Sequence, residues 1–282
     1  MPSEKRARQR AMRAEKQAVI QKQRKRRATM RRTATFGAVA AAIILIVVLI
    51  QVSGGHSKKT AAKSTTSTTT TTFPPPSTLP LSTAAVAPVC PPANETKRVV
   101  WFTKAPPDCI GKRSVWDATF DTSVGTFVVK MDAAASYAGV NNFVFLAGWN
   151  YYNGTFFHRI VTDFVVQGGD PTGTGSGGPH LFPGYSFTGN LPPKSCAAKS
   201  DCYATGDFVY ANSNGPSTDG SQFFAILPGG AAKLSPDYTL FGKVISGQSV
   251  VDKIGTFGIA SETGTPKLKV YVLKVTLKKV KA

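Results

Sequence analysis

The chain has 282 residues, 42% of them apolar, which is enough for one or two domains with a real core. Its formal net charge is +19, yet thirteen Lys and Arg against Glu4 and Glu15 up to Arg32 place eleven of those charges in the first stretch. The basic excess therefore describes a tail and does not mark the folded body as a nucleic-acid binder.

The tail, residues 1–33, is followed by "ATFGAVAAAIILIVVLIQV", residues 34–52, which carries no charge. An apolar run of ~20 residues matches the ~30 Å hydrocarbon thickness of a bilayer, so a single transmembrane helix is expected. A buried core helix and a cleaved signal peptide are the alternatives. The basic region is long for a signal, however, and no A-x-A site follows. Lysines and arginines on the N-terminal side predict a cytoplasmic N-terminus, an extracytoplasmic body and a cell-membrane location. Residues 53–92 are rich in Ser, Thr and Pro, with few bulky apolar side chains, and read as a disordered stalk.

Four cysteines follow: Cys90, Cys109, Cys196 and Cys202. An even number in an oxidising compartment suggests disulfides. Three connectivities are open. Adjacent pairing, Cys90–Cys109 and Cys196–Cys202, closes two short loops and is the one expected. Zinc is the alternative, but there is no C-x-x-C and no histidine nearby in sequence, so no metal site is expected.

Residues 93–282 read as the folded domain. "SVWDATFDTSVGTFVVKMD" predicts two strands around a tight turn at Ser123–Gly125. "ASYAGVNNFVFLAGWNYY" is the clearest helix, with Tyr137, Val140, Phe143 or Val144, and Ala147 at helical spacing. "SPDYTLFGKVISGQSVVDKI" predicts strand, turn and short helix. "KLKVYVLKVTLKKV" alternates lysine with apolar residues as a half-buried final strand. Many antiparallel strands with two helices point to a closed barrel capped at its ends.

One stretch resists that simple reading. In "FFHRIVTDFVVQGGD", Phe156, Phe157, Phe164, Val165 and Val166 belong in a core, whereas Arg159 and Gln167 are costly to bury without partners. Either both face solvent, or together they line an apolar pocket.

"FFHRIVTDFVVQGGDPTGTGSGG", then "YANSNGPSTDGSQFFAI", then "DYTLFGKVISG" resemble in order the motifs of cyclophilin-type peptidyl-prolyl isomerases, over roughly Val115 to the C-terminus. The lead-in "CPPANETKRVVWFTKAPPDCI", with anchor and stalk, resembles membrane-tethered cyclophilins of high-GC Gram-positive bacteria. The resemblance implies a mainly β fold: an eight-stranded antiparallel barrel capped by two helices. It also implies an enzyme that accelerates X-Pro rotation in extracytoplasmic proteins, assisting their folding. Its partners would be proline-containing peptides or unfolded proteins, with no cofactor. A non-catalytic proline-peptide-binding chaperone module on the same fold is the alternative.

By the same resemblance Arg159 donates a hydrogen bond to the prolyl nitrogen or the adjacent carbonyl, and Gln167 orients the guanidinium and contacts the substrate backbone. Phe164, Val165, Phe224 and Leu234 form the socket for the proline ring, and Tyr238 stacks on that ring. Gln222 and Phe224, two apart, share a strand face, which sends Phe223 into the core. Ala211 and Asn212 match positions whose backbone pairs with bound peptide. The segment "ANSNGPSTDGSQ" has one residue more than the family pattern, so Ser213–Asn214 is open as an alternative. Asp219 stands where the family has asparagine. Lys233 occupies a position where sensitive members carry a tryptophan that donates its indole N–H to cyclosporin.

"GTGTGSGG" lacks the Lys-Ser/Thr of a phosphate loop. His158 sits inside the motif and reads as structural, and three scattered histidines offer no Ser-His-Asp arrangement.

Overall fold

The structure, a computed structural model, describes residues 85–179, 185–199, 202–213, 215, 217–261 and 263–281. The expected basic tail and transmembrane run, and the stalk up to residue 84, lie outside the described residues.

Eight antiparallel strands form one sheet in the order β3-β4-β6-β5-β7-β2-β1-β8. β1 (Val115–Thr122) and β2 (Gly125–Asp132) make the hairpin that the sequence predicts, in register from Val115↔Asp132 to Thr122↔Gly125. β3 (Arg159–Val161) and β4 (Val165–Gly168) make a second, shorter one. β6 (Phe223–Ile226) pairs with β4 on one side and β5 (Asp207–Tyr210) on the other, and β7 (Leu240–Ser246) joins β5 to β2. β8 (Val272–Val280) pairs with β1 along its length, with one register shift opposite Asp121 and Thr122, and it buries Val272 and Val275 while exposing Lys274, Thr276 and Lys278.

The expected closed barrel needs correcting. β3 and β8 are the two edges of a curled sheet, and no strand ladder joins them among the described residues. They meet through a single bridge, Phe156↔Tyr271, with Phe157 N–H donating to Val270 O and Val272 N–H to Thr155 O. The outer side of β3 is taken by another segment, since Val161 bridges Ile259 and Ile160 N–H donates to Gly264 O.

Inside the curl, Phe120, Phe127, Phe143, Phe208, Phe223 and Phe241 interlock as one aromatic core. The helix α1 (Tyr137–Gly148) is buried from Gly139 to Ala147 without interruption. A helix apolar on all sides must be covered on all sides. The sheet covers one face, and residues 85–113 cover the other as a strap. Gly148 abuts Pro91, and Trp149 Nε1 donates to Val89 O. Asn141 accepts from Cys109 N–H at 2.8 Å and donates to Pro107 O at 2.9 Å. A Cys90–Cys109 disulfide staples the strap, and a Cys196–Cys202 disulfide closes a small loop before β5. At the opposite end, α2 (Gln248–Thr256) buries Val251, Ile254 and Gly255.

Candidate active site

The strands β4, β5 and β6 are apolar on both faces, and their alternation sorts two clusters. Val166, Phe208, Tyr210, Phe223 and Ala225 point into the aromatic core. Val165, Val209, Phe224 and Ile226 point outward into a second cluster, with Phe164, Ala211, Leu234, Tyr238, Leu240 and Tyr203 packed around them. Every apolar residue that the motifs single out for the proline socket is in this outer cluster. Phe224 meets Tyr238 edge to face at 5.4 Å and 81°. Phe164, Leu234 and Tyr238 are half-buried, so the cluster has an open mouth.

Arg159 and Gln167 are direct partners across the β3–β4 ladder, which sets both side chains on one face. Arg159 Nη1 donates to Gln167 Oε1 at 3.1 Å, and the guanidinium carbon lies 5.9 Å from the centre of the Phe164 ring. The second reading of the sequence therefore holds: the two polar residues sit together at the edge of an apolar cluster. Gln167 Nε2 donates in turn to Gln222 Oε1 at 3.0 Å. Gln222 Nε2 donates to Gly175 O at 3.0 Å and Gly177 O at 2.9 Å. One line of hydrogen bonds thus runs from guanidinium to loop.

That loop is built on Asp170, a fully buried carboxylate that the motif reading did not use. Its Oδ1 accepts from Thr172 N–H and hydroxyl, and its Oδ2 from Gly175 N–H at 2.7 Å and Gly177 N–H at 3.0 Å. Burial pushes the Asp170 carboxyl up, but these donors outweigh it and hold the group below the usual carboxylate range. Gly169 makes the sharp entry to the loop with φ +83°, and a Cβ there would strike Ser221 O. His158 lies beside Gly175, and burial holds it below its ordinary value, so it is neutral at pH 7.

A cleft of about 580 Å³ adjoins Gln167 and Gln222. Its walls include the 175–179 loop, Tyr185, and Ala211, Asn212 and Ser213. Asn212 Nδ2 is tied to Asp237 O, and Ser213 N–H is tied to Thr218 Oγ1. Asn214 lies outside the described residues. Beneath the cleft, buried Asn142 of α1 donates to Gly220 O at 2.8 Å and accepts from Tyr185 OH. A buried asparagine pair, Asn141 and Asn142, within an apolar helix was the available signal for this support. Among the described residues no group of His, Cys, Asp or Glu is placed to hold a metal ion.

The family model for cyclophilin type peptidyl-prolyl cis-trans isomerases matches residues 118–277. The chain is 40% identical over 140 residues to peptidyl-prolyl cis-trans isomerase-like 1 of Emericella nidulans, covering 49% of this chain and 81% of that protein. It is also 40% identical over 151 residues to the human protein of the same name, covering 53% and 84%. A Cryptosporidium parvum cyclophilin type peptidyl-prolyl cis-trans isomerase, solved in the presence of the dipeptide Ala-Pro, matches with TM-score 0.49 and 25% identity, over 57% of this chain and 98% of that one.

These findings correct the expected cell-membrane, single-pass placement and the membrane-tethered bacterial form. The matched relatives are eukaryotic isomerase-like 1 proteins. Among the described residues, no helix is long and apolar enough to cross a membrane. The expected anchor rests on the uncharged run and its basic flank, and both lie outside the described residues.

Proposed function

The chain belongs to the cyclophilin type peptidyl-prolyl cis-trans isomerase family and catalyses X-Pro rotation, and on that premise we propose that Arg159 is its catalytic donor, with Gln167 its positioning partner. Proline-containing segments are the substrate. The outer cluster of Phe164, Val165, Phe224, Leu234 and Tyr238 receives the proline ring, while Ala211, Asn212 and Gln222 line the run of the peptide on either side.

Rotation about the X-Pro bond costs ~18–20 kcal/mol because the amide is conjugated. No covalent step is needed to lower it. Twisting uncouples the nitrogen lone pair from the carbonyl, so the nitrogen becomes pyramidal and accepts a hydrogen bond. A donor fixed at that point binds the twisted amide better than either planar form, which is what accelerates the step. An arginine stays charged throughout, and its planar fork carries several N–H donors in a fixed arrangement, one of them set on Gln167 Oε1.

The observation that carries this reading is the Arg159–Gln167 hydrogen bond at the rim of an outer apolar cluster. It supplies a cation whose direction is set before substrate arrives. Arg159→Ala is expected to lower kcat/KM for an Ala-Pro peptide by roughly a hundredfold, the scale seen when one electrostatic donor is lost. The thermal midpoint should change little, because the aromatic core lies on the other face. A folded Arg159→Ala variant with undiminished turnover would refute the assignment.

A further inference from the structure

Tyr203 immediately follows the small loop closed by the Cys196–Cys202 disulfide, in a segment the motifs of the site do not include. Its ring is 5% exposed and belongs to the outer cluster. Its hydroxyl does two things at once. It donates to Tyr238 O at 2.8 Å and accepts from Tyr238 N–H at 3.0 Å. One side-chain atom thus satisfies both main-chain groups of a residue whose own ring stands edge-on to Phe224.

The neighbours of Tyr203 are themselves fixed. Cys202 is covalently tied on one side, and on the other Ala204 N–H donates to Asp207 Oδ2 at 2.7 Å. The neighbours of Tyr238 are also tied, Asp237 O to Asn212 Nδ2 and Thr239 O to Tyr210 N–H, but its own N–H and carbonyl both bond the Tyr203 hydroxyl. Tyr238 lies between the turn ending at Lys233 and the start of β7 at Leu240.

We propose that Tyr203, held by the Cys196–Cys202 disulfide, is a positioning residue for the proline socket: its hydroxyl fixes the main chain of Tyr238 and so the wall that the Tyr238 ring presents to substrate. The proposal rests on the reading of the outer cluster as the proline site. Burial pushes the phenol up to about 12, so the hydroxyl remains a donor at any working pH. The clamp acts on the wall of the socket and not on Arg159, so its loss should weaken binding more than the chemical step.

Tyr203→Phe keeps the ring in the cluster and removes only the hydroxyl. Isomerisation kinetics of the full chain with an Ala-Pro peptide should show KM raised about tenfold and kcat within about twofold. Serine at both Cys196 and Cys202 should raise KM in the same way, and an unchanged KM in that variant would overturn the part given to the disulfide. A purely architectural tyrosine would lower the thermal midpoint and leave the KM of the folded enzyme alone; that result in Tyr203→Phe would overturn the proposal. Arg159→Ala, measured in parallel, separates the two ideas. If it is inactive while Tyr203→Phe binds normally, only the clamp fails. If it is fully active, the reading of the site fails first.

Discussion

Replacing Gln167 with leucine tests whether the guanidinium must be aimed or need only be present. The change keeps the approximate volume and removes two hydrogen bonds, from Arg159 Nη1 at 3.1 Å and to Gln222 Oε1 at 3.0 Å. A hydrogen bond to a charged group is worth ~1.5–3 kcal/mol net. Both Arg159 and Gln167 are half-buried, so water takes up part of the loss and the lower figure applies. About 1.5 kcal/mol is roughly tenfold in rate. The loss should fall on kcat, because the socket residues are untouched, and it should be smaller than that of Arg159→Ala. Exchange spectroscopy on an Ala-Pro peptide at several concentrations separates the two constants. Gln167→Leu as active as the wild type, or as damaged as Arg159→Ala, would contradict the idea that Gln167 acts by orienting the arginine.

Two further outcomes follow from single buried or rim positions. Burial pushes the carboxyl of Asp219 up from 3.8 to about 6, against the pull of the Thr239 hydroxyl and Gly189 N–H. A carboxyl raised in the folded state contributes stability that is fully present below its unfolded value and is lost as pH rises through about 6. Asp219→Asn should therefore raise stability at pH 8, by at most about 3 kcal/mol, and change it little near pH 4; equal urea midpoint shifts at both pH values would exclude charge as the cause. Lys233 Nζ donates to Asp163 O at 2.9 Å and stands 5.8 Å from the Phe164 ring centre, at the position where the family resemblance places a tryptophan in cyclosporin-sensitive members. The unmodified enzyme should respond to cyclosporin about tenfold to a hundredfold more weakly than Lys233→Trp, with similar turnover; tight inhibition of the unmodified enzyme would remove this position from control.

Local pattern carried much of the fold. The β1–β2 hairpin, α1, the β7-turn-α2 unit and β8 are all legible as alternation or helical spacing, because each buries one defined set of side chains against near neighbours. The pairing of Phe223 inward with Phe224 outward was equally legible from the period of two. Long-range closure was not. Whether β3 and β8 pair depends on where two distant edges meet, and nothing in "RIV" or in the last strand encodes that distance. The cover over α1 was also hidden, since a uniformly buried helix shows that it is covered but not by what. Asp170 was missed although the sequence offers a signal: an aspartate followed by Thr and Gly at short spacing is the composition of a loop folded around its own carboxylate. Tyr203 gave only the weaker hint of an aromatic beside a cysteine.

The site is held from several directions, and this bears on how a donor of this kind works. Electrostatic stabilisation of a twisted amide is effective only if the donor does not have to reorganise during the twist. Arg159 is set by Gln167, Gln167 by Gln222, and Gln222 by carbonyls of the 175–177 loop. That loop would be a soft anchor if it hung free. Instead, its amides close on the Asp170 carboxylate, and its far end is fixed where Phe102 N–H of the strap donates to Pro179 O at 2.9 Å. Phe102 is fully buried and packs on Phe145 of α1 at 4.8 Å. The strap that covers the helix is therefore also the outer footing of the groove wall. The rigidity of the guanidinium is a property of the whole path from the stapled strap to β3, and not of the arginine's immediate neighbours alone.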